Sequence, residues 1–404
     1  MIKQINGGVC AAKGFKANGI HCGIRKNKTK RDIALIYSEV KGSAAATYTQ
    51  NLVKGAPLLV TKSHLADGYA QAMICNSGNA NTCNANGIEV AEKTCEILAN
   101  HLDVNENDII VASTGVIGLP LDITPIANGI PALVEGLGDN SHYACEGIMT
   151  TDTKPKEVSF EFEIGGEICH IGGIAKGSGM IHPNMATMLV FITTDCNISP
   201  EMLGKALRAD IKKSFNMISV DGDTSTNDMV SVIANGLADN DKIVSEGYDY
   251  EEFCKALNAV TSYLCRSIAA DGEGATKLLE CHVSGACDDE NAAIAAKSVI
   301  CSSLLKAAMF GADANWGRVL CAVGYSGAQI DIDKVDVAFR SEKGIIDVCK
   351  NGSGVPFSEE LAKEILLESE IEIIISVGDG EGKATAWGCD LTYDYVKING
   401  DYRT

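Results

Sequence analysis

The sequence of 404 residues lacks several signatures that identify common protein classes. It has no CxxC pair among its 16 cysteines, which excludes zinc-ribbon and thioredoxin-type sites. It also has no Walker A motif and no HExxH motif, so the usual phosphate loop and zinc-protease site are excluded. No run of about 18 apolar residues occurs, and the sequence therefore predicts no transmembrane helix.

Positive charge is scarce as well. Lys and Arg total 34 against 53 Asp and Glu, which gives a formal net charge of −19. An acidic surface repels nucleic acid and anionic membranes, so neither is an expected partner. The charge favours a cationic small molecule only if it is concentrated in a cleft, and its simplest consequence is solubility.

The amino terminus lacks the apolar segment of a secretion signal, since residues 1–8 are MIKQINGG. Many of the cysteines, such as Cys95, Cys254 and Cys265, fall in apolar helical patterns and are expected to act as small core residues. Free thiols in this number suit a reducing compartment. The sequence therefore predicts a cytoplasmic protein.

Short apolar runs, hairpin signals and longer amphipathic stretches are mixed along the chain. Residues 157–164 alternate strictly and end at Gly165 and Gly166, which predicts a hairpin. The mixture predicts an α+β fold rather than a purely parallel one. The length predicts two lobes, although composition marks no boundary between them. Further strands are expected at residues 32–37, 70–75, 108–113, 186–193 and 371–377, turns at 76–81 and 114–118, and helices at 87–102, after Ser199, at 251–270 and at 291–310.

The most informative stretch runs from Lys176 to Thr187. A glycine-rich loop and an Asn/Pro turn lead into an apolar strand whose first hydroxyl, on Thr187, follows the small residue Ala186. Such a hydroxyl can attack the preceding carbonyl if the turn strains that peptide bond, and water then opens the ester. The released α-amine has a reference pKa of about 7.7–8.0 and can act as the base for its own hydroxyl. The arrangement predicts self-cleavage, although Thr187 alone would be an ordinary strand residue.

This stretch, with KGSGMI at 176–181 and MATML at 185–189, resembles the processing region of the ornithine acetyltransferase family of arginine biosynthesis. The resemblance covers the whole chain. It implies the α+β sandwich-type fold that this family shares with certain self-processing aminopeptidases. Further matching motifs lie at residues 76–81, 113–118, 149–156, 219–228, 270–277, 311–318, 386–392 and 399–404.

The resemblance implies roles for particular residues. Thr187 would be the nucleophile, and cleavage between Ala186 and Thr187 would give an α chain of residues 1–186 and a β chain of residues 187–404. Thr114 and Gly115 would form the oxyanion hole, since a hydroxyl and a backbone N–H are suitable donors. The substrate-binding residues would be Thr153 (with Thr150 and Thr151 as alternatives), Lys176, Thr187, Glu273, Asn399 and Thr404.

The implied reaction is a ping-pong acetyl transfer. Thr187 takes the acetyl group from N2-acetylornithine, and glutamate then removes it as N-acetylglutamate. Lys176 would contact a substrate carboxylate and Glu273 a substrate ammonium, with no metal or prosthetic group. Some members of the family also use acetyl-CoA as a donor, which this sequence leaves open. The family assembles as a heterotetramer of two α and two β chains.

Two other functions remain open from the residues alone. A self-activating hydrolase or aminopeptidase would use the same nucleophile with water as the acceptor, and product formation with and without glutamate separates it from a transferase. A non-enzymatic binding protein would keep the motif residues for structure alone. An uncut chain that forms no acyl-enzyme would support that alternative.

Overall fold

The computed structural model describes residues 2–182 and 188–400. The chain forms two compact units, which confirms the two lobes predicted from its length. Each unit collects segments that are distant in sequence. Unit 1 comprises Met1–Gly177, Pro183–Phe215 and Thr224–Leu264, and unit 2 comprises Ser178–His182, Asn216–Asp223 and Cys265–Thr404.

Runs of consecutive strands and runs of consecutive helices occur along the described residues, and the predicted α+β class is confirmed. The strands are β1 (Lys3–Ile5), β2 (Phe15–Ile20), β3 (Ile33–Tyr48), β4 (Tyr69–Asn79), β5 (Ile109–Val116), β6 (Lys156–Ile164), β7 (Glu167–Lys176), β8 (Leu189–Thr194), β9 (Ile218–Ser219), β10 (Met229–Ala234), β11 (Leu278–Ala286), β12 (Asp336–Ser341), β13 (Gly344–Lys350), β14 (Ser353–Gly354), β15 (Glu370–Ser376) and β16 (Gly382–Cys389). The helices are α1 (Ala56–His64), α2 (Gly87–Leu102), α3 (Ile123–Glu135), α4 (Ser141–Ile148), α5 (Pro200–Ile211), α6 (Tyr248–Ala270), α7 (Asp289–Cys301), α8 (Ser303–Phe310), α9 (Trp316–Gly324), α10 (Glu359–Leu366) and α11 (Tyr393–Gly400).

In the described part of unit 1, nine strands form one mixed sheet in the order β1-β6-β7-β8-β10-β3-β4-β5, with β2 paired to β3. The pairs β8/β10 and β4/β5 are parallel, and the other pairs are antiparallel. One hydrophobic core joins Ile148 of α4 to Ile174, Leu189 and Met229 of the sheet. A second core joins helix α2, through residues such as Leu98, to the β3–β5 part of the sheet.

In the described part of unit 2, seven strands form a mixed sheet in the order β14-β13-β12-β15-β11-β16-β9. The pairs β11/β15 and β16/β9 are parallel. Helix α7 packs on β11 and β16, and α10 packs on β12. The contact with α7 is close at Gly388, where a Cβ would lie 2.4 Å from the side chain of Ile300, so only glycine fits there.

Several predicted elements are confirmed. Helix α2 has the predicted bounds, and α5 begins after Ser199, whose side chain accepts a hydrogen bond from the Met202 N–H as an N-cap does. The hairpin of β6 and β7 turns at Gly165 and Gly166, with φ of 61° and 92°. All 16 cysteines lie in the described residues and are free thiols.

The turns predicted at residues 76–81 and 114–118 are partly wrong. Strand β4 continues to Asn79 and β5 to Val116, because the two strands keep pairing beyond their apolar cores. Polar side chains support this extension, since the Ser113 hydroxyl donates to Asn76 Oδ1 at 2.6 Å. The predicted oxyanion-hole residues therefore belong to a strand and not to the loop after it.

The single helix predicted at residues 291–310 is also wrong, since it consists of α7 and α8. Ser302 separates them with an extended backbone, and its side chain accepts a hydrogen bond from the Leu305 N–H to cap the second helix. The two helices meet at 58°. Within the described residues no single helix is long and apolar enough to cross a membrane, and this bent pair meets that criterion only by length and composition.

Candidate active site

The ends of β4 and β5 in unit 1 hold two of the predicted site residues. Thr114 is buried and pairs with Ser77, and Gly115 pairs with Gly78. Gly115 has a φ of 130°, and a Cβ there would lie 2.3 Å from the carbonyl carbon of Gly78, so only glycine fits. The backbone is therefore held in a conformation that few other residues could adopt.

Asn227, which was not predicted as a site residue, fixes this strand end. Its amide nitrogen donates to the carbonyl oxygens of Ser113 at 2.9 Å and Ala80 at 2.6 Å. Its side-chain oxygen accepts a hydrogen bond from the Thr82 hydroxyl at 2.6 Å. The donors at Thr114 and the next residue are thus held by a buried network, which is the condition for effective oxyanion stabilisation.

Lys176 ends strand β7, and a buried carboxylate lies beside it. The N–H of Gly177 donates to Asp152 Oδ1 at 2.7 Å, and the Lys156 ammonium lies 2.7 Å from the same oxygen. Burial by itself raises the pKa of the Asp152 carboxyl. The charges of Lys156 and Lys176 and the Gly177 hydrogen bond outweigh burial and hold this pKa below its ordinary value. Asp152 is therefore a stable anion, already paired by Lys156.

The same carboxylate fixes the loop that contains the three candidate threonines. The Thr150 N–H donates to Asp152 Oδ2 at 2.9 Å. Thr150 and Thr151 are half-buried, and Thr153 is exposed. Asp152 thus ties the start of this loop, at Thr150, to the end of β7. Which of them contacts a substrate stays a prediction.

A second buried carboxyl, Asp228, immediately precedes strand β10. It is 2% exposed, and one of its oxygens has no hydrogen-bond partner in the described part of the chain. Burial raises its pKa well above the ordinary value, although the charge of Lys176 opposes that shift. The next residue, Met229, donates its N–H to the carbonyl of Met188 at 2.9 Å. One signal in the sequence could have identified Asp228, namely a carboxyl residue immediately before an apolar strand.

In unit 2 the structure brings Glu273 and Asn399 together. The amide nitrogen of Asn399 donates to Glu273 Oε2 at 2.8 Å. Glu273 is half-buried and Asn399 is exposed. The Glu273 N–H donates to the carbonyl of Ser178 at 3.0 Å, and this bond fixes the backbone of the residue that carries the carboxylate. A partly exposed, positioned carboxylate of this kind can accept hydrogen bonds from an ammonium group.

Two other candidate groups, the Cys75 thiol and the His182 imidazole, are poorly prepared for catalysis. Burial raises the pKa of the Cys75 thiol to about 12. Burial, followed by the charge of Lys297, lowers the pKa of His182 to about 4, so this imidazole is neutral at pH 7. Its Nδ1 lies 3.1 Å from the Ser219 hydroxyl. Among residues 2–182 and 188–400, no group of three or more His, Cys, Asp or Glu could hold a metal ion.

Comparison with known proteins shows the family. The model of the ArgJ family matches residues 16–404. The chain belongs to the ArgJ family. This ArgJ family member is 49% identical to the arginine biosynthesis bifunctional protein ArgJ of Caldanaerobacter subterraneus subsp. tengcongensis over 402 residues, 99% of each chain. It is 50% identical to ArgJ 1 of Clostridium acetobutylicum over 392 residues, 96% of each chain.

A solved structure is similar to part of this ArgJ family member. The crystal structure of arginine biosynthesis bifunctional protein argJ from Bacillus halodurans is 46% identical, with a TM-score of 0.50. The match covers 53% of this chain and 98% of the solved chain. Ala186, Thr187 and Thr404 lie outside the residues that our structure describes. The roles predicted for these three residues therefore stay predictions.

Proposed function

We propose that this ArgJ family member is an acetyltransferase of arginine biosynthesis that moves an acetyl group from N2-acetylornithine to glutamate. The observation that carries the proposal is its match along 99% of the chain to a relative named as a bifunctional protein of that pathway. The arrangement within each unit supports it. Unit 1 holds rigid donors at Thr114 and Gly115 and a cation at Lys176, and unit 2 holds the carboxylate of Glu273.

The proposed enzyme first cuts itself between Ala186 and Thr187. Cleavage gives an α chain of residues 1–186 and a β chain of residues 187–404. The solved chain from Bacillus halodurans supports this step, since 98% of that chain corresponds to only 53% of ours. A chain of about half the precursor length is what such a cut produces.

The proposed transfer uses the new amino terminus. The Thr187 hydroxyl attacks the acetyl carbonyl of N2-acetylornithine while the α-amine takes its proton. The negative oxygen of the tetrahedral intermediate accepts hydrogen bonds from Thr114 and Gly115. The C–N bond then breaks, the proton passes to the leaving nitrogen, and ornithine departs. The amine of glutamate attacks the acetyl-threonine by the same steps in reverse and restores the free hydroxyl.

The proposed substrate contacts match the charges of acetylornithine, which has one carboxylate and one side-chain ammonium. Lys176 binds the carboxylate. Its charge is available because the neighbouring Asp152 is already paired with Lys156 at 2.7 Å. Glu273 binds the ammonium, with Asn399 holding its Oε2 at 2.8 Å. The Thr150–Thr153 loop and Thr404 complete the proposed contacts.

The word bifunctional in the relatives' names supports acetyl-CoA as a second donor. The proposed steps need no metal or prosthetic group. We further propose a cytoplasmic heterotetramer of two α and two β chains. Association after cleavage is supported by the sheet of unit 1, where β8 and β10, from the β chain, lie between β7 and β3, from the α chain. An assay with acetyl-CoA and glutamate tests the second donor directly.

An acetyl-enzyme experiment tests the main proposal. Incubation with N2-acetylornithine and no glutamate should add one acetyl group to the 187–404 chain, and glutamate should remove it. Initial-rate lines at varied donor and acceptor should be parallel, as double displacement requires. Release of acetate at a rate that glutamate does not change would instead identify the hydrolase. Intersecting lines without a mass shift would overturn the covalent mechanism.

A further inference from the structure

A strained turn in unit 2 leads the chain towards the proposed cleavage junction. Met180 lies in this turn with a φ of 56°, a left-handed conformation that residues other than glycine rarely adopt. The Met180 side chain is 44% exposed, so its own packing does not hold the turn. A conformation of this kind persists only where surrounding contacts determine it.

The carboxylate of Asp221 provides those contacts. Its Oδ2 accepts the N–H of Met180 at 2.6 Å, and its Oδ1 accepts the N–H of Ile181 at 2.9 Å. The N–H of Val220 donates to the carbonyl of Ile181 at 2.7 Å. The backbone of Ile181 is therefore held on both sides by consecutive residues of the 220–221 segment. Hydrogen bonds to a charged acceptor are about twice as strong as neutral ones.

Other parts of unit 2 support the start of this turn, at Ser178, and the Asp221 carboxylate. The Ser178 hydroxyl donates to the carbonyl of Asp271 at 2.7 Å. The N–H of Asp223 donates to Asp221 Oδ1 at 3.2 Å. Burial, followed by charges that include that of Asp221, raises the pKa of the nearby Tyr395 hydroxyl in α11. These contacts fix the residues on either side of Met180 and keep Asp221 in place.

We propose that Asp221 is a positioning residue for self-cleavage: its carboxylate holds the 179–181 turn in its left-handed form and so fixes the backbone that precedes the proposed cleavage junction in the chain. This inference rests on the self-cleavage proposed above. Attack on a preceding carbonyl needs an oriented, strained peptide bond, and a mobile turn would release both the orientation and the strain. An amide at position 221 has a single acceptor oxygen, so it cannot accept both N–H groups in the same geometry.

The test follows conversion of precursor to product during cell-free synthesis of the full chain, with band positions read over time on denaturing gels. Asp221→Asn should slow conversion about 10-fold or more, which corresponds to the loss of roughly one charge-assisted hydrogen bond. The matched control is Asp223→Asn, which removes an exposed carboxylate two residues away and should convert at the wild-type rate.

Two further measurements separate positioning from general destabilisation. The Tm of purified Asp221→Asn and the acetyl transfer per processed molecule should stay close to the wild-type values. Adding Met180→Gly to Asp221→Asn should restore part of the conversion rate, because glycine adopts the left-handed turn without needing the carboxylate.

The outcomes distinguish this inference from the function on which it rests. A wild-type chain that is never cut overturns the proposed cleavage and the role of Asp221 with it. If the wild type is cut and Asp221→Asn converts as fast as Asp223→Asn, only the positioning role is overturned. A fall in Tm together with a loss of transfer, or no rescue by Met180→Gly, assigns Asp221 to folding and also overturns it.

Discussion

Replacing Thr187 with alanine removes the hydroxyl that we assign to both cleavage and acetyl transfer. The variant should remain one chain of 404 residues and lose acetyl transfer. Thr187→Ser keeps a hydroxyl, so it should be cut and keep partial activity. Gel mobility and steady-state transfer, measured on the same preparations, check both expectations. Transfer by Thr187→Ala at a rate near that of the wild type would require another nucleophile.

Glu273→Gln removes the charge proposed to bind the substrate ammonium while keeping the size of the side chain. An unpaired ammonium in a partly buried pocket costs about 2–5 kcal/mol. We therefore expect kcat/KM for acetylornithine to fall roughly 30-fold or more, with self-cleavage unchanged. The matched control is Glu381→Gln, which changes an exposed carboxylate and should leave both kcat/KM and self-cleavage unchanged. Normal transfer by Glu273→Gln would show that another group binds the ammonium.

The Asp152–Lys156 pair should contribute to stability in a pH-dependent manner. Both side chains are buried, so Asp152→Asn removes the negative partner from a buried ion pair and should cost about 3–5 kcal/mol at pH 7. The folded-state pKa of Asp152 is held below its ordinary value. Its contribution is therefore complete above a pH of about 3.9 and is lost as the pH falls through the lower folded-state pKa.

Denaturant unfolding at pH 7 and at successively lower pH measures this effect. The difference between wild type and Asp152→Asn should shrink as the pH falls below about 4. Glu96 forms an exposed pair with Lys93, with side chains 47% and 49% exposed, and Glu96→Gln should leave the midpoint unchanged. A penalty for Asp152→Asn that does not vary with pH would show that lost packing, rather than lost charge, is responsible.

At the scale of elements, periodicity predicted the strands and helices that contain long apolar patterns. Helix α2 matched its predicted bounds, because its buried face repeats regularly and Asp103, with a φ of 56°, ends it. The length of strand β3 was underestimated, because its second half is rich in small residues, as in Ala44–Ala46, and has no alternating pattern. The break at Ser302 was missed because an N-cap serine within a long apolar stretch also fits a continuous helix.

The chain end after α11 gives a prediction at this scale. Deleting residues 399–404 removes Asn399 and its hydrogen bond to Glu273, so acetyl transfer should fall while self-cleavage continues. Cleavage should continue because Asp221 and its hydrogen bonds to Met180 and Ile181 are retained. Deleting only residues 401–404 separates the role of Thr404 from that of Asn399. Loss of cleavage in either deletion would assign the tail to folding.

At the scale of the whole molecule, the candidate site could be predicted only through the resemblance to a family. Glu273 and Asn399 are separated by 126 positions, and no local pattern joins them. The role of Asp152 could not be predicted from the sequence, because it depends on a hydrogen bond from Gly177, which lies 25 positions away. Thr114, Lys176 and Glu273 were predicted as site residues. The buried carboxyl groups of Asp152 and Asp228 were not, since burial of a charge is not visible in a sequence.

The proposed assembly can be tested on the intact protein. Denaturing gels should show chains of 186 and 218 residues, which together make the 404 of the precursor. Native mass spectrometry should give about 85 kDa, twice the 42.6 kDa of one chain, for two copies of each. The uncut Thr187→Ala variant should have the same native mass. A species of 42.6 kDa would contradict the heterotetramer and would leave the cleavage proposal intact.

The position of β8 within its sheet affects how the protein can refold after it has been cut. Because β8 pairs with β7 on one side and β10 on the other, a cut before it separates neighbours that folded as one chain. Refolding after the cut would be a second-order reaction between two polypeptides and would slow on dilution, whereas refolding of the uncut variant would not. The mature protein would then depend on a high barrier to unfolding, since a state reached by folding first and cutting afterwards is not easily regained.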